Sequence, residues 1–430
     1  MRVVYLNADR GIPALGQKGA SVHVRAFVAA LAVLGHEVTL LCSRLGSGNP
    51  PPPVRLIEIP PVADEAALPE ECWRLDLEYA ALTDTILRAE IARLANDRTL
   101  AIRAAASLAT EGVVPDLIYE RHALFHCAGI ALGATTGVAR VLEVNAPLVE
   151  EQARFRNLRL RAEAQAREDR SFRAADLVVA VSEEVRDHVL SRGVAESRVM
   201  VLPNGVDTAS FAPAATRSAG AAIRQRLGLG DSPVIGFIGS FRPWHGMDFL
   251  LEAFARLGAA YATTKLLAVG TGPMLEAARA RAAEAGVAGR VIFTGEIPHA
   301  EVPGHLAAMD FTVAPYLPRD DFYFSPLKVV ESLAAGRAVV APRIGQIESL
   351  IRHGETGLLY PPGNLATCTA LLTVMLEDES LRTRMGARAS ALACRDCDWT
   401  QLADRVLAHP ALAASSVRRK PPSVVALVEQ

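Results

Sequence analysis

Short runs of β-branched and other apolar residues alternate with longer stretches of helical periodicity over most of the chain. After Ser21, four apolar residues recur at helical spacing until Gly35 interrupts the pattern: Val24, Phe27, Val28 and Leu31. This spacing puts one apolar face on a helix, and a following glycine favours the end of that helix. The alternation of such helices with short apolar runs is typical of parallel α/β layers.

The apolar runs predict two sets of strands. The first set falls at 3–6, 38–41, 117–119, 141–143, 177–181 and 199–202, with a long Ala- and Arg-rich helical region at 76–112. The second set falls at 234–238, 266–269, 291–293, 311–314 and 338–341. Because the two sets are separated by a stretch without apolar periodicity, the pattern predicts two α/β units.

The length of 430 residues also suits two domains better than one. We expect a first domain at 1–207, a linker rich in Ala, Pro, Gly and Ser at 208–232, and a second domain at 233–398. Residues 411–430 are rich in Ala and Ser, then basic, and then contain two prolines. We expect this tail to be poorly ordered.

Charge and composition limit the classes of partner and the cellular location that we expect for this protein. The formal net charge is -2, which disfavours nucleic acid as a main partner. No apolar run reaches the roughly 18 residues that a bilayer-spanning helix needs. The first six residues are too short and too soon polar for a signal peptide, so we interpret them as a buried strand and expect a cytoplasmic protein.

Cys394 and Cys397 form a CxxC pair. The pair could be half of a zinc site or a redox centre, or simply two thiols one helical turn apart. A zinc site would need a second pair at suitable spacing, and the sequence contains none. The spacing therefore favours two independent thiols.

Two strand-to-helix junctions contain glycines that would let a backbone approach a phosphate. The first includes Gly11, Gly16 and Gly19 and leads to Ser21, which we expect to cap a helix; a flexible connection is the alternative. The second is the loop 239–246, which has glycine at both ends and carries Arg242 and His245. A diphosphate would fit this second loop, while its Trp244 is expected to pack rather than stack on a ligand.

A third junction begins with Ser325 as the expected N-cap and Pro326 as the first helical residue. Lys328 then falls in the first turn, where the helix dipole disfavours a cation unless a phosphate binds there. Glu331 lies one turn further on the same side, where it could accept hydrogen bonds from two vicinal hydroxyls. A surface Lys–Glu ion pair is the alternative.

These junctions, with the segments between them, resemble in order the retaining glycosyltransferases of family 4. The most specific segment is ADLVVAVSEEV (175–185) followed by VLPNGVDTASFAP (201–213). The other matching segments are KGASVHV (18–24), LGHEV (34–38), IGFIGSFRPWHG (235–246), AVGTGP (268–273), FTGEIPHAEVP (293–303), SPLKVVESLAAGRAVVA (325–341) and GETGLLYPPGN (354–364).

The resemblance implies a GT-B fold, in which two Rossmann-like domains hold the nucleotide-sugar donor in the cleft between them. It implies that the first domain serves the acceptor, that the second binds the nucleotide sugar, and that the C-terminal helix 399–410 returns to the first domain. It further implies that Glu331 binds the ribose hydroxyls and that Gly19 admits the donor. The remaining donor-binding residues are then Ser240, Leu327, Tyr323 and Asp321, and His23 and Asn145 lie on the acceptor or sugar side.

The chain departs from the family pattern at several of these positions. Tyr323 stands where the family has the first glutamate of its E-x7-E motif, and Asp320 or Asp321 is the candidate substitute. Ser240 and His245 stand where the phosphate loop has arginine and lysine, so Arg242 is expected to supply a fixed charge. Lys18 replaces the first glycine of the Gly-Gly loop, and Asn145 replaces a first-domain histidine.

We therefore expect a retaining glycosyltransferase that moves a hexose-type sugar from a nucleotide diphosphate to a hydroxyl of a polysaccharide, glycolipid or small-molecule natural product. Arg242, His245 and Lys328 are the expected catalytic residues, because cations stabilise a leaving diphosphate. No metal or other cofactor is expected. The alternatives are a sugar-nucleotide epimerase of similar architecture and a non-catalytic nucleotide-sugar-binding protein, which the missing glutamate favours.

Seven arginines between 154 and 173 could rest on an anionic membrane, but acidic residues interrupt them. We expect a solvated helix there and no stable membrane contact.

Overall fold

The computed structural model describes residues 1–61 and 67–416 and divides into two compact units. Among the described residues, the first unit contains Met1–Pro203 and 402–416, and the second contains Asn204–Gln401. Each unit has a parallel sheet with helices packed on it. No helix in the described ranges is both long enough and apolar enough to cross a membrane.

The first unit, as far as it is described, contains a seven-stranded sheet in the order β3-β2-β1-β4-β5-β6-β7. Its strands are β1 (Arg2–Asn7), β2 (Glu37–Cys42), β3 (Arg55–Glu58), β4 (Leu117–Arg121), β5 (Ala139–Val144), β6 (Leu177–Ala180) and β7 (Val199–Val201). Its helices are α1 (Gly19–Val33), α2 (Ala67–Arg74), α3 (Thr85–Thr110), α4 (Ala128–Thr136), α5 (Leu148–Phe155), α6 (Arg161–Ala174) and α7 (Glu183–Ser191).

The apolar pattern of the sequence does not predict β3, and the reason is its position in the sheet. This strand lies at the sheet edge and pairs only with β2 among the described strands, so its residues are at best partly buried. Without a buried face it lacks the continuous apolar run that marks the interior strands. The arginine-rich segment 154–173 is also not one helix, because α5 ends at Phe155 and α6 begins at Arg161.

The second unit contains, within the described residues, a six-stranded sheet in the order β10-β9-β8-β11-β12-β13. Its strands are β8 (Val234–Ile238), β9 (Lys265–Val269), β10 (Val291–Gly295), β11 (Phe311–Val313), β12 (Val339–Pro342) and β13 (Gly357–Tyr360). Its helices are α8 (Thr208–Phe211), α9 (Pro213–Arg226), α10 (Met247–Arg256), α11 (Leu275–Glu284), α12 (Val302–Ala307), α13 (Leu327–Ala334), α14 (Ile347–Leu350), α15 (Leu365–Glu377) and α16 (Glu379–Asp396). The chain ends its described part with α17 (Trp399–Leu407) and α18 (Pro410–Ser416).

Both faces of the second sheet are covered. Val234 and Leu267 face one apolar core, while Ile235 and Leu266 face the other. Successive strand residues point to opposite faces, so a sheet buried on both sides needs apolar residues at every position. This explains why continuous apolar runs marked these strands in the sequence.

The stretch 208–232, expected as a linker, belongs to the second unit and is mostly helical, because α8 and α9 occupy 208–211 and 213–226. Helix α9 buries Thr216, Gly220 and Ile223, and a Cβ at Gly220 would come within 2.7 Å of the Cβ of Ala307 in α12. The buried face of α9 consists partly of small residues, so the sequence shows no apolar periodicity that would predict this helix. The expected tail is likewise helical at 410–416, and residues 417–430 lie outside the described residues.

The six cysteines form no disulfide. Cys394 is exposed and Cys397 is buried at the end of α16.

Candidate functional site

The strand orders locate a candidate site in each unit. In an open parallel sheet, ligands bind beyond the carboxyl ends of the strands, at the point where the strand order reverses. That point lies between β8 and β11 in the second unit and between β1 and β4 in the first. The glycine loops predicted from the sequence follow β8 and β1, and α13 follows β11.

The loop Gly239–Gly246 is held tightly against its neighbours. Gly246 has φ of +69°, and a Cβ there would lie 1.8 Å from the carbonyl oxygen of Pro315. A Cβ at Gly270 would lie 2.1 Å from the carbonyl oxygen of Gly239, so the loop after β9 packs directly on this one. Glycine is therefore required sterically at these positions. Gly246 is also the N-cap of α10, where no side chain caps the helix.

His245 is neutral in this loop. Its Nδ1 lies 2.5 Å from the carbonyl oxygen of Ser240, so Nδ1 carries the hydrogen and donates it. Burial, followed by the nearby charge of Lys328, lowers the pKa of His245 to about 3. The expectation that His245 supplies a phosphate-binding charge is therefore not met in the unliganded protein.

Lys328 lies on α13, outside the loop, and its amine supplies a cation beside the loop. Its Nζ lies 4.6 Å from the ring centre of Phe237 and 4.8 Å from that of Tyr316. A Cβ at Gly239 would come within 2.8 Å of this Nζ, so the ammonium lies directly against the start of the loop. It has no hydrogen-bond partner among the described residues, and burial lowers its pKa to about 7.

Glu331 is buried, and its Oε1 lies 2.8 Å from Nε2 of His299. The alternative of a surface Lys328–Glu331 ion pair is thus wrong. Sequence reasoning missed His299 as a site residue. It lies within the matching segment 293–303, but nothing in a single sequence shows that it meets Glu331.

Helix α13 begins differently from the prediction. Its N-cap is Pro326 and its first helical residue is Leu327, so Ser325 is not the cap. Ser325 instead accepts two hydrogen bonds from Asn204, from the backbone N–H to Oγ at 2.7 Å and from Nδ2 to the carbonyl oxygen at 2.8 Å. The PNGVD segment therefore holds the loop before α13, whose first turn no side chain caps.

Three other residues predicted on the donor side are Arg242, Asp320 and Asp321. Arg242 is exposed, with its guanidinium 5.9 Å from the ring centre of Trp244, which is half-buried against the core as predicted. Asp321 forms a bidentate ion pair with Arg319 at 2.8 and 3.0 Å, while Asp320 is exposed.

Tyr323 has its ring 4.5 Å from that of Phe324. The replacement of the family's first glutamate by Asp320 or Asp321 stays a prediction.

In the first unit, the expected cap at Ser21 is wrong. Helix α1 begins at Gly19 with Lys18 as its N-cap, and no side chain caps it. Ser21 is buried inside the helix instead. Arg25 holds the preceding loop by donating to the carbonyl oxygens of Ala14 and Gly16 at 2.9 and 2.6 Å.

His23 and Asn145, which are far apart in the sequence, both contact the carboxylate of Glu143. Glu143 Oε2 lies 2.9 Å from Nε2 of His23, and Oε1 accepts a hydrogen bond from Nδ2 of Asn145 at 2.5 Å. The other donors are Tyr119 at 3.0 Å and Arg121 at 2.5 Å. A small pocket opens onto His23, Tyr119, Glu143 and Asn145.

Glu143 is ionised despite its burial. Burial raises the pKa of a carboxyl group, but His23 and Arg121 outweigh that effect and lower the pKa of Glu143 to about 2. Sequence reasoning missed Glu143, Tyr119 and Arg121. The one available signal was that charged residues occur inside otherwise apolar strand runs.

Comparison with known families matches both halves of the chain. Residues 17–210 match the model described as Glycosyltransferase Family 4, and residues 232–378 match the one described as Glycosyl transferases group 1. The chain is 30% identical over 419 residues to the D-inositol 3-phosphate glycosyltransferase of Acidothermus cellulolyticus, covering 92% of this chain and 86% of that protein.

A second relative matches over a shorter span. The GDP-mannose-dependent alpha-(1-6)-phosphatidylinositol monomannoside mannosyltransferase of Mycolicibacterium smegmatis is 33% identical over 228 residues. That match covers 52% of this chain and 59% of the relative, so the chain spans less than two thirds of the relative's length.

Solved structures share the fold over nearly the whole chain. HepE of Anabaena, in complex with UDP, superposes with a TM-score of 0.67 at 18% identity, covering 95% of this chain and 98% of that one. Sucrose-phosphate synthase of Thermosynechococcus elongatus gives 0.67 at 21% identity, with 96% and 99% covered. The predicted GT-B fold is confirmed, and the chain belongs to glycosyltransferase family 4.

Proposed function

We propose that the protein is a retaining glycosyltransferase that moves a hexose-type sugar from a nucleotide diphosphate sugar to an acceptor hydroxyl. The observation that carries this proposal is the buried ammonium of Lys328, which lies against the glycine loop without a hydrogen-bond partner among the described residues. A buried charge without a partner is costly, and an anion at the loop would remove that cost. Uncapped N-termini of α10 and α13 favour a diphosphate there.

Glu331 supports the nucleotide half of this proposal. It lies one turn after Lys328 on α13, and a carboxylate can accept hydrogen bonds from both ribose hydroxyls. His299 holds Oε1 of Glu331 at 2.8 Å and so fixes the orientation of the carboxylate. Phosphate and ribose would then bind to the same short helix, with Leu327 contributing its backbone.

The leaving diphosphate is the centre of the proposed chemistry. Lys328 and the helix N–H groups stabilise the negative charge that develops as the sugar departs. The proposal invokes no nucleophile from the protein, because the departing phosphate can take the proton of the acceptor hydroxyl. It also invokes no metal in the transfer. His23 and Asn145, both held by Glu143, are proposed to contact the sugar or the acceptor.

The donor is tested by titrating the protein with UDP-, GDP-, ADP- and dTDP-sugars and measuring thermal shift and calorimetric affinity. GDP-mannose and UDP-glucose come first, because one relative is named for GDP-mannose and a structural neighbour was solved with UDP-glucose. The donor that binds is then incubated with candidate acceptors, and the anomeric configuration of the product is read by NMR. Inversion of that configuration would overturn the retaining mechanism.

The same incubation separates the rival functions. Release of nucleoside diphosphate that requires an acceptor supports the transferase. A new nucleotide sugar formed without acceptor would identify an epimerase. Tight binding without any conversion would identify the non-catalytic protein that the replacement of the first glutamate by Tyr323 favours.

A further inference from the structure

A second group of ionisable side chains lies in the first unit, separate from the residues proposed for sugar transfer. Glu150 of α5, Glu168 of α6 and His188 of α7 each bring one ligand atom within 4.8 Å of the others. The Nε2 atom of His188 lies 3.0 Å from Oε1 of Glu168 and 3.8 Å from Oε2 of Glu150. Three different helices therefore converge on one point.

The outward oxygens of both carboxylates are held in place. Oε2 of Glu168 lies 3.2 Å from Nε2 of His122, and Oε1 of Glu150 is bound by Arg192. The inward oxygens, Oε1 of Glu168 and Oε2 of Glu150, are therefore the ones that approach His188. Protein metal sites use such outer donors to orient their carboxylate ligands.

The inward oxygen of Glu150 approaches His188 at 3.8 Å but receives no hydrogen bond from the described residues. This oxygen, Oε2, is also inaccessible to solvent. A buried anionic oxygen without a donor is costly, and the hydrogen on Nε2 of His188 is directed to the nearer Glu168. A cation at the centre of the three side chains would satisfy this oxygen.

We propose that Glu150, Glu168 and His188 bind a divalent transition-metal ion, with zinc as the first choice. Ligand atoms in a tetrahedral zinc site lie about 3.3 Å apart, given bonds of about 2.0–2.1 Å, and the separations of 3.0 and 3.8 Å lie on either side of that value. Two carboxylates balance the charge of the ion, and an imidazole selects zinc over magnesium or calcium. Water would complete the coordination.

The site has both an entry route and a structural consequence. The side chain of Glu150 is 37% exposed while that of Glu168 is 1% exposed, so an ion could arrive from the α5 side. Bound metal would tie α5 to α6 and α7. Because α5 begins three residues after Asn145, the ion would also fix the loop that carries this residue. The ion takes no part in the proposed transfer chemistry.

The test uses the full chain in a Cys394→Ser background, which removes the exposed thiol as a competing zinc ligand. After treatment with EDTA, the protein is titrated with zinc, manganese and magnesium chlorides by calorimetry, and bound metal is counted by mass spectrometry. We expect one zinc per chain and little magnesium binding. X-ray absorption should show nitrogen and oxygen ligands without sulfur.

Two variants locate the bound ion. Glu150→Gln changes a half-exposed residue, so the variant should fold, and it should weaken zinc binding at least tenfold. Glu151→Gln, the neighbouring residue on α5, is the matched control and should bind zinc like the Cys394→Ser parent. Absence of zinc from the parent, equal zinc affinity in both variants, or sulfur in the absorption spectrum would overturn the proposal.

Discussion

Burial moves the ionisation of Lys328 into the neutral range of pH. The pKa of this amine falls from 10.5 to about 7, mainly because burial disfavours its charged form, while Glu331 opposes the change. The neighbouring His245 stays neutral, and Arg242 lies exposed over Trp244. Of the three residues expected from the sequence to supply positive charge, Lys328 is the one whose amine lies buried against the glycine loop.

This ionisation gives the first prediction. The phosphates of a bound donor raise the pKa of Lys328, so donor binding takes up a proton wherever the pH exceeds about 7. Affinity for a nucleotide sugar should be flat below that pH and fall above it, by at most about tenfold per pH unit. Calorimetry between pH 6 and 9, in two buffers with different ionisation enthalpies, measures both the affinity and the proton uptake.

Two variants make this result specific. Lys328→Met should bind donor more weakly at pH 6 and lose the pH dependence. His245→Gln should keep the dependence, because the pKa of His245 lies near 3, far below the range tested. A pH profile that disappears in His245→Gln and persists in Lys328→Met would assign the titration to the histidine after all.

Glu331 gives the second prediction. Its replacement in Glu331→Ala removes a charged acceptor for two hydroxyls, at about 1.5–3 kcal/mol for each charged hydrogen bond as an upper guide. We expect nucleotide affinity to fall by roughly ten- to a hundredfold, measured by calorimetry on a variant whose fold circular dichroism verifies. Glu348→Ala, at an exposed ion pair with Arg343, is the control and should leave affinity unchanged. Equal affinities in the two variants would refute the ribose assignment.

At the level of elements, the loop Gly239–Gly246 is constrained, because a side chain at its last glycine would collide with Pro315. Gly246, before α10, and Gly286, just after α11, both have a positive φ, at +69° and +68°. The hydrogen bond from the N–H of Val287 to the carbonyl oxygen of Ala282 is typical of a helix that ends in a left-handed residue, here Gly286. A Cβ at Gly246 would meet the carbonyl oxygen of Pro315 at 1.8 Å, whereas a Cβ at Gly286 would have no atom within 4 Å. The two positions thus have similar backbone strain, but they differ in the room that each leaves for a side chain.

That difference gives the third prediction. Gly286→Ala should cost only the strain of a left-handed residue, about 1–2 kcal/mol of the free energy of unfolding. Gly246→Ala should cost clearly more and should also weaken donor binding, because the loop must move away from Pro315. Urea unfolding and calorimetry on both variants measure the two effects. Equal losses of stability would mean that the contact with Pro315 does not constrain the loop.

At the level of the whole molecule, the chain returns to its first unit near the C-terminus. The boundary between the units falls at Gln401 and Leu402, inside α17, and α18 lies beside β5. Leu402 and Val406 are fully buried. The core of the first unit therefore includes side chains from α17, which lies about 200 residues after the preceding strands and helices of that unit.

The fourth prediction concerns this return. A chain that ends at Gln401 loses several buried side chains from the first unit, and each large one is worth about 2–5 kcal/mol. Amide hydrogens of β1, β4 and β5 should then exchange much faster, as measured by mass spectrometry. A chain that ends at Ser416 is the control and should exchange like the full-length protein. Protection that survives truncation at Gln401 would show that the first unit folds without α17 and α18.

The sequence determined the elements that bury a continuous apolar surface. The sequence predicted both ends of β8 correctly and β4 to within two residues, because strands covered on both faces are mostly apolar. The two residues missed in β4 are the buried Glu120 and Arg121. The sequence also gave the order of the glycine loops and placed Lys328 and Glu331 together at the start of α13. Elements built on small or exposed residues escaped this reasoning, as α9 and β3 show.

Only the tertiary structure decided which polar groups meet. His23 and Glu143 are 120 residues apart, yet they touch because α1 packs on the first sheet, where its Phe27 lies 4.6 Å from the ring of Tyr119. In the second unit, packing of α13 places the amine of Lys328 against Gly239, and the fold of the loop directs His245 onto a backbone carbonyl. Periodicity shows which face of an element is buried, but it does not show which element packs against that face. Burial, ionisation and hydrogen bonding depend on that partner, and so they were settled only when the two sheets had formed.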